Sequence, residues 1–120
     1  MMGEMRRKEP EEAAEMGVVT ISGDPAAVET RGEVRNLPVL SPGGYVWAPN
    51  RGEQVLVIKG GPGGEEACVV GRVQDGAALL PGEVLLYCGE ASLKLDREGR
   101  VFLNGELFIN GKPYMAPLTE

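Results

Sequence analysis

Histidine is absent from this chain of 120 residues. Its absence removes the commonest general base, the usual partner of a catalytic serine or cysteine, and the commonest transition-metal ligand. Aromatic residues are also few, at 5% of the chain. We therefore predict no catalytic residue, no bound metal and no cofactor, and we expect that the protein is not an enzyme.

Positive charge is scarce as well, with 12 Lys and Arg residues against 18 Asp and Glu residues and a formal net charge of −6. A nucleic-acid site needs clustered Lys and Arg to release counterions, so we predict no nucleic-acid partner. The sequence has no apolar run of transmembrane length, and the charged segment 1–16 lacks the apolar stretch of a signal peptide. We expect the chain to be made and kept in the cytoplasm.

The chain has two cysteines, Cys68 and Cys88, and both lie in apolar runs typical of strands. They could form a disulfide bond with each other. Without a secretion signal, buried free thiols are the favoured interpretation.

Turn-forming residues, by contrast, are abundant, with 18 glycines and 9 prolines. Glycine and proline at this frequency leave little room for helices, so we predict an all-β fold of short strands. We divide the chain into a charged N-terminal arm at 1–16, with a helical turn or two starting at Pro10, a β-barrel at 17–82, and a short β-rich tail at 83–120.

Two hairpins are predicted within the barrel. The first joins 18–21 to an alternating strand at 28–34 that bends at Gly32. The second joins 54–59, which is apolar on both faces and therefore predicted to be central, to 67–73. The glycine run between them lacks the Gly-Lys-Ser/Thr ending and the following helix of a phosphate-binding loop, which favours a hairpin loop.

Tyr45 and Trp47 lie in a loop rich in glycine and proline. They could form a stacking platform for a sugar or a base, or they could pack against one end of the barrel. Because no basic residues cluster near them, we favour the packing role. The acidic pairs at 65–66 and at Asp96 and Glu98 could similarly be catalytic or bind calcium, but solvated charges are favoured.

The tail contains two near-copies, VFLNGE at 101–106 and LFINGK at 107–112, each ending in a turn-forming Asn-Gly pair. Alternation places the apolar odd positions on one face and Phe102 and Phe108 on the other. The Asn-Gly pairs could close ordinary hairpins in a monomer. Hairpins this short cannot bury the two phenylalanines by themselves, however, and this favours self-association. The predicted trimer interface comprises Leu93, Leu95, Val101, Phe102, Leu103, Leu107, Phe108 and Ile109.

Taken in order, LSPGGYVWAPNRGEQVLVI, ACVVGRV, LLPGEVLLYC and ASLKLDREGRVFLNG resemble the Mu-like and baseplate-assembly-protein-V-like spike proteins of contractile-tailed phages. The resemblance spans about 17–113. Its most specific parts are Pro42-x-Gly44-Tyr45, ahead of a Pro-x-x-Gly-Glu turn, and Pro81-Gly82-Glu83-Val84-x-Leu86-Tyr87, which opens the tail.

The resemblance implies a barrel of the oligonucleotide/oligosaccharide-binding (OB) type, followed by strands that intertwine with two other copies in a trimeric β-helical needle. It implies a place in the virion, at the tail baseplate, after assembly in the host cytoplasm. The implied partners are other baseplate and tail-tube proteins, with transient contact to the host envelope.

The sequence departs from this family at one point, because many members end in a His-x-His iron-binding tip and this chain has no histidine. Either a separate tip protein completes the needle or the chain is chiefly a hub. The alternative function, from a different class, is a monomeric barrel that binds a sugar or a peptide through Tyr45 and Trp47.

Overall fold

The computed structural model describes residues 13–63, 66–74, 76 and 79–115, and these residues are all-β, in two compact units divided after Gln74. Among them there is no helix long and apolar enough to span a bilayer. The first unit holds five strands, namely β1 (Ala14–Ile21), β2 (Ala26–Glu29), β3 (Glu33–Leu37), β4 (Gln54–Gly60) and β5 (Glu66–Arg72). They form one antiparallel sheet in the order β3-β2-β1-β4-β5.

The two edges of this sheet meet just after β3. Val39 forms a parallel bridge with Val69 of β5. Here the amide of Leu40 donates to the Val69 carbonyl over 2.8 Å, and the amide of Val69 donates to the Pro38 carbonyl over 2.9 Å. Hydrogen bonding therefore continues from the end of β3 to β5, and the sheet curves back on itself.

The core of the first unit is built from small aliphatic side chains on one face of the strands. Because side chains alternate along a strand, every second residue of β4 points inward. Val55 and Val57 are completely buried, whereas Ile58, on the other face, is 39% exposed. β4 lies between β1 and β5 in the sheet and is therefore central, as predicted, although Ile58 shows that its second apolar face is not buried within this unit. The core cluster comprises Val19, Val28, Leu37, Val55, Val57 and Val69.

The structure confirms the predicted β4–β5 hairpin, in which Val57 pairs with Val69. It corrects the stretch 28–34, which was expected to be one strand. The amide of Thr30 donates to the Gly32 carbonyl over 3.0 Å, so the chain turns there and separates β2 from β3.

The N-terminal arm was expected to extend to Met16, but β1 already begins at Ala14. The reason is strand pairing, since Ala14 lies opposite Ile58 of β4. The predicted helical turn at Pro10 lies outside the described residues.

Gly17 lies inside β1, where β2 approaches too closely for any side chain. A Cβ atom at this position would lie 2.5 Å from Cγ1 of Val28 and 2.7 Å from the carbonyl oxygen of Glu29. We predict that Gly17→Ala lowers the free energy of unfolding by about 1–3 kcal/mol, the usual cost of overpacking. Urea titration would measure it.

Gly32→Ala is the matched control for this substitution, because a Cβ added there would have no atom within 4 Å apart from those of Gly32 and its two chain neighbours. We expect it to change stability by less than about 0.5 kcal/mol. Equal unfolding midpoints for the two variants would contradict the prediction.

The second unit contains a three-stranded antiparallel sheet and a separate two-stranded hairpin. The sheet has the order β6-β7-β8. Its strands are β6 (Val84–Cys88), β7 (Ala91–Leu95) and β8 (Val101–Asn104), and the hairpin strands are β9 (Phe108–Ile109) and β10 (Lys112–Pro113).

The division after Gln74 precedes the predicted domain boundary between residues 82 and 83. Local hydrogen bonding explains the difference. The Glu83 carboxylate accepts from the amide of Leu80 over 3.0 Å, so the residues just before β6 are held to the second unit.

The two Asn-Gly pairs of the tail have different conformations. Asn110 and Gly111 have φ angles of 53° and 78°, and this pair of positive angles closes the β9–β10 hairpin as the sequence predicts. In the first pair Gly105 alone has a positive φ, of 122°, and the pair ends β8 without closing a hairpin. The two near-copies in the sequence are thus not structural repeats.

Candidate functional site

One face of the β6-β7-β8 sheet is aliphatic from end to end. In the strand register, Leu93 of β7 lies between Leu86 of β6 and Leu103 of β8. Directly opposed residues point to the same side of a sheet, so the register places eight uncharged side chains on one surface. We call this surface the aliphatic face, and its members are Val84, Leu86, Cys88, Ala91, Leu93, Leu95, Val101 and Leu103.

The aliphatic face is open to solvent in the single chain. Val101 and Leu103 are each 60% exposed, and Val84, Leu86 and Leu95 are exposed as well. None of the described residues between 76 and 115 is buried. A three-stranded sheet needs an apolar face packed against something to be stable, and contiguous apolar patches mark interaction surfaces.

The opposite face of the same sheet, the mixed face, carries polar and charged groups. Lys94 lies opposite Phe102, and the amide group of Asn104 donates to Ser92 Oγ over 3.2 Å. The Arg100 guanidinium lies 5.4 Å from the centre of the Phe102 ring. This cation–π contact is worth about 0.5–1 kcal/mol at an exposed site and covers one side of the ring.

The structure brings together only part of the predicted interface. Leu93, Leu95, Val101 and Leu103 share the aliphatic face, but Phe102 lies on the mixed face. Three other residues of the predicted interface lie outside the three-stranded sheet. Phe108 and Ile109 form β9 of the β9–β10 hairpin, and Leu107 precedes it.

Sequence reasoning missed four members of the aliphatic face, namely Val84, Leu86, Cys88 and Ala91. The run Val84-Leu85-Leu86 is apolar at every position, so the assignment of its residues to one face or the other requires the pairing of β6 with β7.

The turn between β7 and β8 is organised by Asp96. Its Oδ1 accepts from the amides of Glu98 and Arg100, each over 2.9 Å, and its Oδ2 lies 2.7 Å from Nε of Arg100. The backbone hydrogen bond from Arg100 is the main cause of the lowered pKa of the Asp96 carboxyl. The prediction that this pair of acids is simply solvated is wrong for Asp96, whose side chain is only 5% exposed, whereas Glu98 is open to solvent.

Glu83 secures the entry to β6 in a similar way. Its carboxylate accepts from the amides of Leu80 and Arg97, and these two hydrogen bonds are the main causes of its lowered pKa. The two carboxylates thus hold the same end of the sheet.

These lowered pKa values make the second unit sensitive to acid. A carboxyl whose pKa is lower in the folded state stabilises the fold above its ordinary pKa, near pH 4, and this contribution is lost as the pH falls through the folded pKa. We expect the melting temperature to fall between pH 5 and pH 2 by less in Asp96→Asn than in the parent chain. Thermal unfolding followed by circular dichroism would measure it.

Glu90→Gln is the control for this pH series, because Glu90 is exposed in the turn between β6 and β7. It should keep the acid sensitivity of the parent. An unchanged pH profile in Asp96→Asn would count against the role assigned to its carboxylate.

Tyr45 and Trp47 differ in their surroundings. Trp47 packs against the core cluster, whereas Tyr45 is 55% exposed. Both line a shallow cavity of about 350 Å³ in the first unit, together with Asp24 and Val39. The Asp24 carboxylate accepts from the amide of Val39 over 3.2 Å, so it is already engaged within the loop.

Both cysteines are free, as expected. Cys68 in β5 is half-buried. Cys88 is exposed at the end of the aliphatic face, so the prediction of a buried thiol is wrong for it.

No protein-family model matches the sequence, and no curated protein shows significant similarity to it. The resemblance to phage spike proteins therefore rests on the sequence segments quoted above.

Proposed function

We propose that this chain is a structural protein that assembles into a homotrimer through its second unit, as a central spike or hub of a contractile-tail baseplate. In this role it seals the tail tube and helps to puncture the host envelope when the sheath contracts. The observation that carries the proposal is the aliphatic face, which spans three strands and is left uncovered by the single chain.

Association offers a large hydrophobic gain at this face. Complete burial of one Val or Leu side chain contributes about 1.5–3 kcal/mol. Because several side chains of the face are about half exposed, each has roughly half of that still to gain. Three such sheets packed around an axis, with their aliphatic faces inward and their mixed faces outward, form a core that one chain lacks.

The first unit is compatible with the proposed OB-type barrel. An OB-fold is a five-stranded, partly open barrel. The five strands and the bridge between Val39 and Val69 support this assignment. The short antiparallel strands of the second unit support a tail that completes its packing with other copies, as in a β-helical needle.

The proposed location and partners follow from the sequence resemblance. They are the virion baseplate, the neighbouring baseplate and tail-tube proteins, a separate tip protein if the chain is not itself the tip, and the host envelope during contraction.

The alternative function, a monomeric module that binds a sugar or a peptide, draws its support from the cavity beside Tyr45 and Trp47. It predicts a monomer, and it predicts that Tyr45→Ala abolishes ligand binding measured by fluorescence of the single tryptophan. The assembly proposal predicts that Tyr45→Ala leaves the trimer unchanged.

Truncation after Gln74 tests the assembly proposal, because it removes the second unit and keeps the core cluster. We expect the shortened chain to fold, with a cooperative thermal transition, and to be monomeric by light scattering, whereas the whole chain is trimeric. A truncated chain that still forms trimers would show that the second unit is not the assembly element.

A further inference from the structure

A groove of about 420 Å³ opens in the second unit, at the end of the aliphatic face. Leu86, Leu103 and Leu107 contribute to its apolar lining, together with Cys88. Among the described residues that line it, Glu106 is the one with a charge.

The β9–β10 hairpin follows directly after Leu107, yet none of the described residues 108–113 lines this groove. Phe108 is 55% exposed and Ile109 is 50% exposed, so the hairpin leaves its apolar side chains in solvent. Each strand of the hairpin has two residues. An isolated hairpin of this size is not stable in water and needs a surface to pack against.

We propose that the terminal hairpin of one copy occupies the groove of the next copy in the homotrimer. This inference rests on the proposed trimer and specifies which surfaces of neighbouring copies are in contact. The apolar side chains of the hairpin match the apolar lining of the groove.

The charges of the hairpin and of the groove also favour the hairpin as the occupant of the groove. Lys112 is the single charged residue of the segment 108–113. It can pair with Glu106 at the groove of the neighbouring copy.

The geometry of such a contact suits a ring. The hairpin and the groove are different surfaces, and a contact between different surfaces forms a ring when the rotation from one copy to the next closes after a whole number of copies.

Disulfide cross-linking tests the proposal, because Cys88 already lies in the groove. In a Cys68→Ser background, Phe108→Cys and Ile109→Cys each place a thiol on the hairpin, on opposite sides because neighbouring strand residues alternate. After oxidation with copper phenanthroline, we expect at least one of the two variants to form reducible covalent dimers and trimers on a non-reducing gel.

Glu98→Cys is the matched control. It places an exposed thiol in the turn between β7 and β8, at the opposite end of the sheet from Cys88. It should give no covalent trimer. Equal cross-linking in the control, or a disulfide formed only within one chain, would overturn the proposal.

The mass of the unoxidised variants separates this inference from the proposed function. Trimers that do not cross-link at either hairpin position would overturn the hairpin contact alone. Monomers in the unmodified chain would overturn both.

Charge exchange provides a second test that does not depend on cysteine geometry. Glu106→Lys and Lys112→Glu should each weaken every one of the three hairpin contacts about two- to fivefold, the effect of one exposed ion pair, and the double variant should recover assembly. Failure of the double variant to recover assembly would overturn the proposed pairing.

Discussion

Replacement of Leu103 by glutamate is expected to convert the trimer into monomers. Leu103 lies opposite Leu93 on the aliphatic face and is 60% exposed in the single chain, so the monomer can accept a carboxylate there without strain. In the assembly, the same carboxylate would be buried against aliphatic side chains and close to the corresponding carboxylates of the other copies. Desolvation of a charge costs several kcal/mol, so assembly should weaken at least about a thousandfold.

Phe102→Glu is the matched control for this substitution. It introduces the same charge at the neighbouring position, but on the mixed face, where Lys94 lies opposite and Arg100 is close. We expect it to remain trimeric in sedimentation-velocity experiments at micromolar concentration. If Phe102→Glu dissociates and Leu103→Glu does not, the two faces of the sheet have been assigned the wrong way round.

Val57→Asp is expected to unfold the first unit. Val57 is completely buried in the core cluster and pairs with Val69. An unpaired carboxylate in this core costs several kcal/mol, which is comparable with the whole stability of a small domain. The fluorescence of Trp47, which packs against the same cluster, should shift to the value of the denatured chain at 25 °C.

The control for Val57→Asp is Ile58→Asp, one residue further along β4 and on the outer face. It should keep a native fluorescence spectrum and lose no more than about 1 kcal/mol, as for other surface substitutions. Equal destabilisation by the two substitutions would contradict the placement of the core on one face of β4.

Local sequence patterns were sufficient to predict the β4–β5 hairpin and the turn at Asn110-Gly111. Both depend on neighbouring residues, namely apolar strands joined by glycines and a pair of residues that tolerate positive φ. The bridge between Val39 and Val69 joins distant parts of the chain, and no local pattern indicates it. The positive φ of Asn36, 59° inside β3, was likewise not predicted, because an asparagine tolerates such an angle without requiring it.

The candidate site was predictable only within individual strands. Alternation gave Leu93 and Leu95 in β7, and Val101 and Leu103 in β8, the same orientation. Only the strand register shows that β6 contributes to the same face, and only the sheet topology shows that the last hairpin is separate from the sheet. Hydrogen bonding between strands therefore determines the final membership of the surface.

The central claim is that the chain completes its packing with two other copies, and the mass of the intact protein in solution tests it most directly. Light scattering during serial dilution from about 100 μM to 1 μM, in the concentration range of specific protein complexes, should give three times the chain mass of 12.8 kDa throughout. A mass of one chain at every concentration in this range would contradict the account.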